Sequence, residues 1–272
     1  MGVKIAPLQL NLYKGIIAIA LIAITLFLQK ATFVDLSRST IAWLALSGVI
    51  GIGLGDTAYF AALNNLGARR TLLLETASPP MGALLALIFI GEQLTAFSWC
   101  GILLTILGIA WVISERNPVN NTNNISISRQ GIIYGILAAI AQATGAVISR
   151  FALIQSDISP LASTLIRLVG GTVIVLGLLL FPVGTTTTKI KWRISGRSLG
   201  IIAIAATGST YLGIWLQQTS LKFAPTGIAQ TFLATSPLFV LPLVALQGEK
   251  ISWRAILGVI ISLSGIALMF IR

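Results

Sequence analysis

Four ionisable residues stand inside long apolar stretches of this chain: Lys14, Asp56, Glu75 and Arg167. An ionisable group in a bilayer costs about 2.5–3.5 kcal/mol on insertion scales and usually faces a cavity or a partner. Asp56 follows Gly51, Gly53 and Gly55, and Tyr59 and Phe60 stand three and four residues on, hence on its own helix face. Glu75 precedes Pro79 by about one helical turn. Low dielectric disfavours the charged form of a carboxylate, so either acid could load and release a proton, with Lys14 or Arg167 as its partner. The alternative is a plain intramembrane ion pair. Lys14 and Arg167 each lie seven residues beyond a proline, Pro7 and Pro160, roughly 10 Å along a helix at 1.5 Å per residue. That depth permits either a place in a cavity or snorkelling to the interface.

Two polar faces complete the candidate chemistry. Tyr211, Trp215 and Gln218 recur at i, i+4 and i+7, one face of a helix. Gln142 and Ser149 mark a similar stripe on another. Such faces suit a small molecule of mixed polarity in a central cavity, and they equally serve interhelical hydrogen bonding.

The elements that must position these residues are membrane helices. Of 272 residues 56% are apolar and only 9% charged, with a mean hydropathy of +0.95, whereas soluble domains carry about 25% charged residues. Nine segments are long and apolar enough to cross a bilayer: 8–29, 41–63, 71–91, 95–114, 130–151, 160–183, 198–217, 225–247 and 254–271. Continuous apolar runs read as helices, since barrel strands alternate polar and apolar residues. The fold class is therefore all-α, a polytopic membrane bundle.

The chain is also duplicated. Ser78-Pro79, Gly91-Glu92 and Gly108-Ile109-Ala110 return as Ser236-Pro237, Gly248-Glu249 and Gly265-Ile266-Ala267, 157 to 158 residues later. Pro7-Leu8 with Lys14 and Pro160-Leu161 with Arg167 repeat at 153. Five crossings separate one copy from the next, and because five is odd, equivalent helices point in opposite directions, the pattern of secondary transporters. The repeats are expected at 1–114, with four spans visible, and 130–272, with five. Residues 115–129 form a linker containing Asn-Pro and an Asn-rich run. A complete span precedes Pro160, but only six residues precede Pro7. The first helix of a ten-helix plan is thus missing, either through a start placed too far downstream or in a nine-span variant.

With these motifs in order, the chain resembles the drug/metabolite transporter superfamily, in its EamA-like group. Tyr59-Phe60-Ala61-Ala62-Leu63 and Ser220-Leu221-Lys222 extend the resemblance over nearly the whole chain. It implies ten helices built as two inverted five-helix repeats, and a cytoplasmic C-terminus. The charges point the other way. Of 18 Lys and Arg, the N-terminal tail and the loops on its side hold 11 and the opposite side five, which by the positive-inside rule puts the N-terminus in the cytoplasm and the C-terminus outside.

Several function classes drop out. The net charge of +11 sits at helix ends and in loops such as Lys189 to Arg197, without the basic face interleaved with aromatics that nucleic acid requires. No histidine is present, which removes His-based zinc sites and Ser-His-Asp triads. The sequence implies no metal, no cofactor and no catalytic constellation. Gly53-Leu54-Gly55-Asp56 fits the G-x-G-D pattern of aspartyl intramembrane proteases, but the required second carboxylate is lacking, since Asp35 and Asp157 lie outside the spans. Without a phosphate loop, energy must come from a gradient or an exchanged solute.

The expected function is a secondary transporter in the cell inner membrane, exporting small organic metabolites such as amino acids or drug-like compounds by alternating access. Lipid, the small-molecule substrate and coupling protons are the expected partners, with oligomeric state open. A passive channel is the alternative, disfavoured because the pseudo-symmetry lies within one chain. Ser78, Pro79, Gly91, Glu92, Ser236, Pro237, Gly248 and Glu249 are expected to be structural. Gly91 and Gly248 would cap helices, while Pro79 and Pro237, inside their spans, would free carbonyls one turn earlier.

Overall fold

The computed structural model describes residues 6–29, 36–114, 128–180, 196–239 and 252–271. Among the described residues all regular structure is helical. In chain order the elements are α1 Pro7–Leu28, α2 Arg38–Gly48, a π-helical segment Val49–Gly55, α3 Asp56–Leu66, α4 Ala68–Glu75, α5 Ser78–Ile90 and α6 Ala96–Ser114. Then follow α7 Arg129–Ile154, α8 Pro160–Leu180, α9 Gly196–Ala205, a second π-helical segment Ala206–Leu212, α10 Gly213–Phe223, α11 Thr226–Ala234 and α12 Trp253–Met269. Seven stretches are long and apolar enough to cross a membrane: Pro7–Leu28, Arg38–Leu66, Ala68–Ile90, Ala96–Ser114, Arg129–Ile154, Pro160–Leu180 and Gly196–Phe223. At 17 residues, α12 is shorter, and the expected span at 225–247 is described only as far as residue 239. Of the linker at 115–129, all but the last two residues lie outside the described residues, as do Asp35, Gly248 and Glu249.

The elements repeat with the period of the motifs. Both Val49–Gly55 and Ala206–Leu212 are seven-residue π-helical segments, each continuing an α-helix and leading into another. Wide π turns are rare and cluster where a helix carries function. Each copy also breaks a span just ahead of its Ser-Pro pair, at Thr76 and at Thr235. The Thr76 hydroxyl donates to the Leu73 carbonyl at 2.7 Å and that of Thr235 to Phe232 at 2.6 Å, so each turns back onto the helix it ends.

Two compact units form, Met1–Phe60 with Thr144–Phe223, and Ala61–Ala143 with Ala224–Arg272. Each draws elements from both halves of the sequence. In the first unit α1 packs on its duplicate α8, while α8 also packs on Val49–Gly55 and α1 on Ala206–Leu212. Leu12 packs with Val175 and Leu179, and Gly15 lies against Thr172. Residue numbers therefore rise along α1 as they fall along α8: the two helices run antiparallel.

The second unit pairs α6 with its duplicate α12. Thr105 donates to the Ser262 carbonyl and Ser262 to the Thr105 carbonyl, both at 3.3 Å. These residues are 157 apart, so equivalent positions of the two copies bond each other reciprocally, as at a local two-fold axis. The glycines of the repeated Gly-Ile-Ala motif explain the close approach. A Cβ on Gly108 would stand 2.6 Å from the Gly258 carbonyl oxygen, and one on Gly265 2.7 Å from that of Gly101. Small residues let backbones come together where lipid gives no hydrophobic drive for helix association. Here too the partners run antiparallel, Gly101 against Gly265 and Gly108 against Gly258.

Candidate functional site

The first unit gathers most of the residues singled out by chemistry. Its centre is Arg167 on α8, only 1% exposed. The backbone there is held close to α2: a Cβ on Gly48 would collide with the Arg167 carbonyl, and one on Gly170 would lie 2.6 Å from that of Ala45. Around the guanidinium stand Gln218, Ser149 and Ser163, all fully buried. Arg167 Nη1 donates to Gln218 Oε1. Gln218 Nε2 donates to Ser149 Oγ at 2.7 Å and Ser163 Oγ at 3.0 Å, while the Ser149 hydroxyl lies 2.9 Å from Gln218 Oε1. Buried polar groups need such partners, because an unpaired one costs its full desolvation. Arg167 Nε, nevertheless, has no hydrogen-bond partner among the described residues.

One acid here interacts with two cations. Asp56, half-buried, is the first residue of α3, where the π-helical segment gives way to the α-helix. Its carboxylate interacts electrostatically with both Lys14 and Arg167. Lys14, half-buried on α1, holds its Nζ 4.8 Å from the centroid of the Phe60 ring, a cation–π arrangement. Tyr59 meets the same ring edge-on, with centroids 5.8 Å apart. One turn of helix thus presents the acid, and the next the ring that supports its cationic neighbour.

Asn11, on α1, braces the segment leading into Asp56. Its Nδ2 donates to the Ile52 carbonyl at 2.8 Å and to Thr57 Oγ1 at 3.0 Å. The wide turns of Val49–Gly55 leave carbonyls out of the ordinary α pattern, and a buried amide supplies one partner. Elsewhere in the unit, the Tyr211 hydroxyl lies 2.9 Å from Thr25 Oγ1, and the Tyr211 and Trp215 rings are 6.0 Å apart. Of the face predicted from spacing, Gln218 joins Arg167, whereas Tyr211 and Trp215 sit earlier along the same helical stretch.

Other expected residues fall in the second unit. Glu75 ends α4. The backbone carbonyl of Gln142 accepts from Gln230 Nε2 at 3.3 Å, so Gln142 and Ser149, which share a stripe on α7, belong to different units. Glu92 reaches across sequence to α11: its Oε2 accepts from the Thr226 backbone N–H at 2.8 Å, a carboxylate on the positive end of a helix. Gly91, at φ 67°, closes α5 in the left-handed conformation that favours glycine. Pro79 differs from expectation. It does not interrupt a continuous helix, because α4 ends at Glu75 and α5 begins anew at Ser78. Proline in a first turn removes no needed donor. Ahead of the break the Leu72 and Leu74 carbonyls accept from the Thr76 and Ala77 backbone N–H groups. Ser236 and Pro237 likewise begin a helical stretch at 236–239, after the turn at Thr235.

Sequence reading missed Asn11 and Ser163. Asn11 carried a usable signal as an amide within the first apolar span, four residues after Pro7. A serine such as Ser163 is too common in membrane helices to mark a site.

Comparison with known proteins places this geometry in context. A family model described as the EamA-like transporter family matches residues 1–114 and 129–271. A solved structure titled only "Crystal structure of protein" shares the fold with a TM-score of 0.74 over 98% of this chain and 88% of that one, at 16% identity. No curated protein matches the sequence.

Proposed function

The chain belongs to the EamA-like transporter family, and from that premise we propose that this multi-pass membrane protein is a secondary carrier exporting small organic metabolites by alternating access. The observation that carries the proposal is the buried polar cluster of the first unit. Arg167, Gln218, Ser149 and Ser163 hold a fixed guanidinium, and Asp56 and Lys14 add two further charges. Polar groups at this density in an apolar helical unit are costly unless they serve a path or a bound solute.

The antiparallel packing of α1 on α8 and of α6 on α12 supports two inverted repeats, with boundaries proposed at 1–114 and 130–272 and nine spans in all. Discontinuous helices near the binding region recur in inverted-repeat carriers, and the breaks at Thr76 and Thr235 fit that plan. Asp56 is proposed as the proton-coupling acid, with Glu75 as the second candidate. Lys14, Tyr59, Gln142, Arg167, Tyr211, Trp215 and Gln218 are proposed to line the path.

Metabolite profiling tests the export reading. Cells lacking the protein should retain, and overproducing cells should release, the same small set of compounds. Identical media from both strains, with the protein present in the membrane of the overproducer, would reject it.

A further inference from the structure

We infer that the first unit contains an anion subsite, built on Arg167 with Lys14 as the second cation, and that the cargo is an organic acid carrying a single carboxylate. This rests on the carrier reading above and names the substrate class of that same site.

Lys14 and Arg167 occupy equivalent positions in the two copies, so the duplication supplies two cations. The acid is not duplicated: Asp56 corresponds to Ile214 at the 158-residue shift, or to Gly213 where the two π-helical segments are superposed at 157, and neither carries a charge. Among the described residues of the unit, one carboxylate therefore faces two cations, which leaves one positive charge in excess. The other described cations of the unit do not share this setting. Arg150 donates to the Leu221 and Lys222 carbonyls at 2.8 Å, and Lys222 to the Ile158 carbonyl at 2.6 Å, while Arg38 and Arg197 are exposed. Asp157 is exposed as well.

Gln218 occupies Nη1 and is itself held by two serine hydroxyls, which fixes the plane of the group. Nε–H, fully buried, is left without an acceptor among the described residues. Nε–H lies on the side-on edge of a guanidinium, the edge that grips a carboxylate through parallel hydrogen bonds. A preset plane with an unmet donor is what an incoming carboxylate needs, since the ordering has been done before it arrives. One negative charge brings the three protein charges to balance. An inorganic phosphate dianion would overshoot and leave a buried charge unpaired, which is strongly unfavourable.

Thermal unfolding of the full chain in nanodiscs tests the subsite, with acetate, benzoate and 3-phenylpropionate as probes against benzamide, benzylamine and inorganic phosphate. The carboxylates should raise the melting temperature saturably and the other probes should not. Gln218→Glu keeps an acceptor for Arg167 but neutralises it in place, and should weaken carboxylate binding by roughly tenfold or more. Asp56→Asn removes the competing carboxylate and should tighten binding by about tenfold, a gain that a purely structural role for Asp56 would not produce. Stabilisation by benzamide or benzylamine equal to that by benzoate overturns the inference. So does carboxylate affinity unmoved in both variants, or no response to any carboxylate. If carboxylates fail while other compounds still show counterflow in proteoliposomes, the subsite falls and the carrier stands. If no compound shows counterflow, the carrier reading falls with it.

Discussion

Arg167 and Gln218, 51 residues apart in sequence, are joined side chain to side chain in the interior of the first unit, where Arg167 Nη1 donates to Gln218 Oε1. Gln218 also donates to Ser149 and Ser163, so one amide ties α7, α8 and α10 together around a buried charge. Truncation of Gln218 leaves the charge without its acceptor and two hydroxyls without their donor. Gln218→Ala should therefore destabilise the protein by about 2–4 kcal/mol, read from unfolding in detergent. Gln218→Glu, which preserves the acceptor, should cost less.

The backbone around Arg167 makes a second prediction. A Cβ on Gly48 would collide with the Arg167 carbonyl, whereas one on Gly177 of α8 has nothing within 4 Å. Gly48→Ala should cost about 2 kcal/mol or more through forced helix separation. Gly177→Ala should be neutral, or stabilising by about 0.5–1 kcal/mol from helix propensity. Equal melting temperatures for the two variants would mean that α2 and α8 do not approach as described.

Glu92 is predicted to act as scaffold. Its carboxylate accepts from Thr226 N–H at the start of α11, so Glu92→Ala should cost about 1–2 kcal/mol and Glu92→Gln about half that. Neither should change which compounds are carried. An altered substrate profile in either variant would place Glu92 in the transport path instead.

How much of this was legible in the sequence depends on the kind of signal each residue leaves. Lys14, Asp56 and Arg167 stood out because charge in an apolar run has no bland background, and the fold brings all three together. Gln218 was found by helical spacing, and the same spacing picked out Tyr211, whose hydroxyl lies 2.9 Å from Thr25 Oγ1 rather than at Arg167. Ser163 was lost because a small hydroxyl in a membrane helix is ordinary. Pro79 is expected in the interior of a span because the apolar run continues unbroken past it, whereas hydropathy carries no information about where hydrogen bonding restarts. The π-helical segments were invisible for a related reason: an apolar stretch with glycines reads the same at either winding. The partner of Glu92 lies 134 residues away, a separation no local pattern spans.

Coupling gives a fourth prediction. With the acid replaced by its amide, Asp56→Asn should lose the acceleration of flux by an imposed proton gradient while retaining exchange at equal pH on both sides. Glu75→Gln serves as the parallel case. Gradient-driven flux undiminished in both variants would exclude these acids from coupling.

The most direct measurement is counterflow with the purified protein in proteoliposomes, using the labelled compound that profiling of the medium identifies. Alternating access predicts uptake that saturates with external label and is accelerated several-fold by unlabelled compound loaded inside. Flux that rises linearly with concentration and ignores the internal compound would contradict the carrier and indicate an open pore.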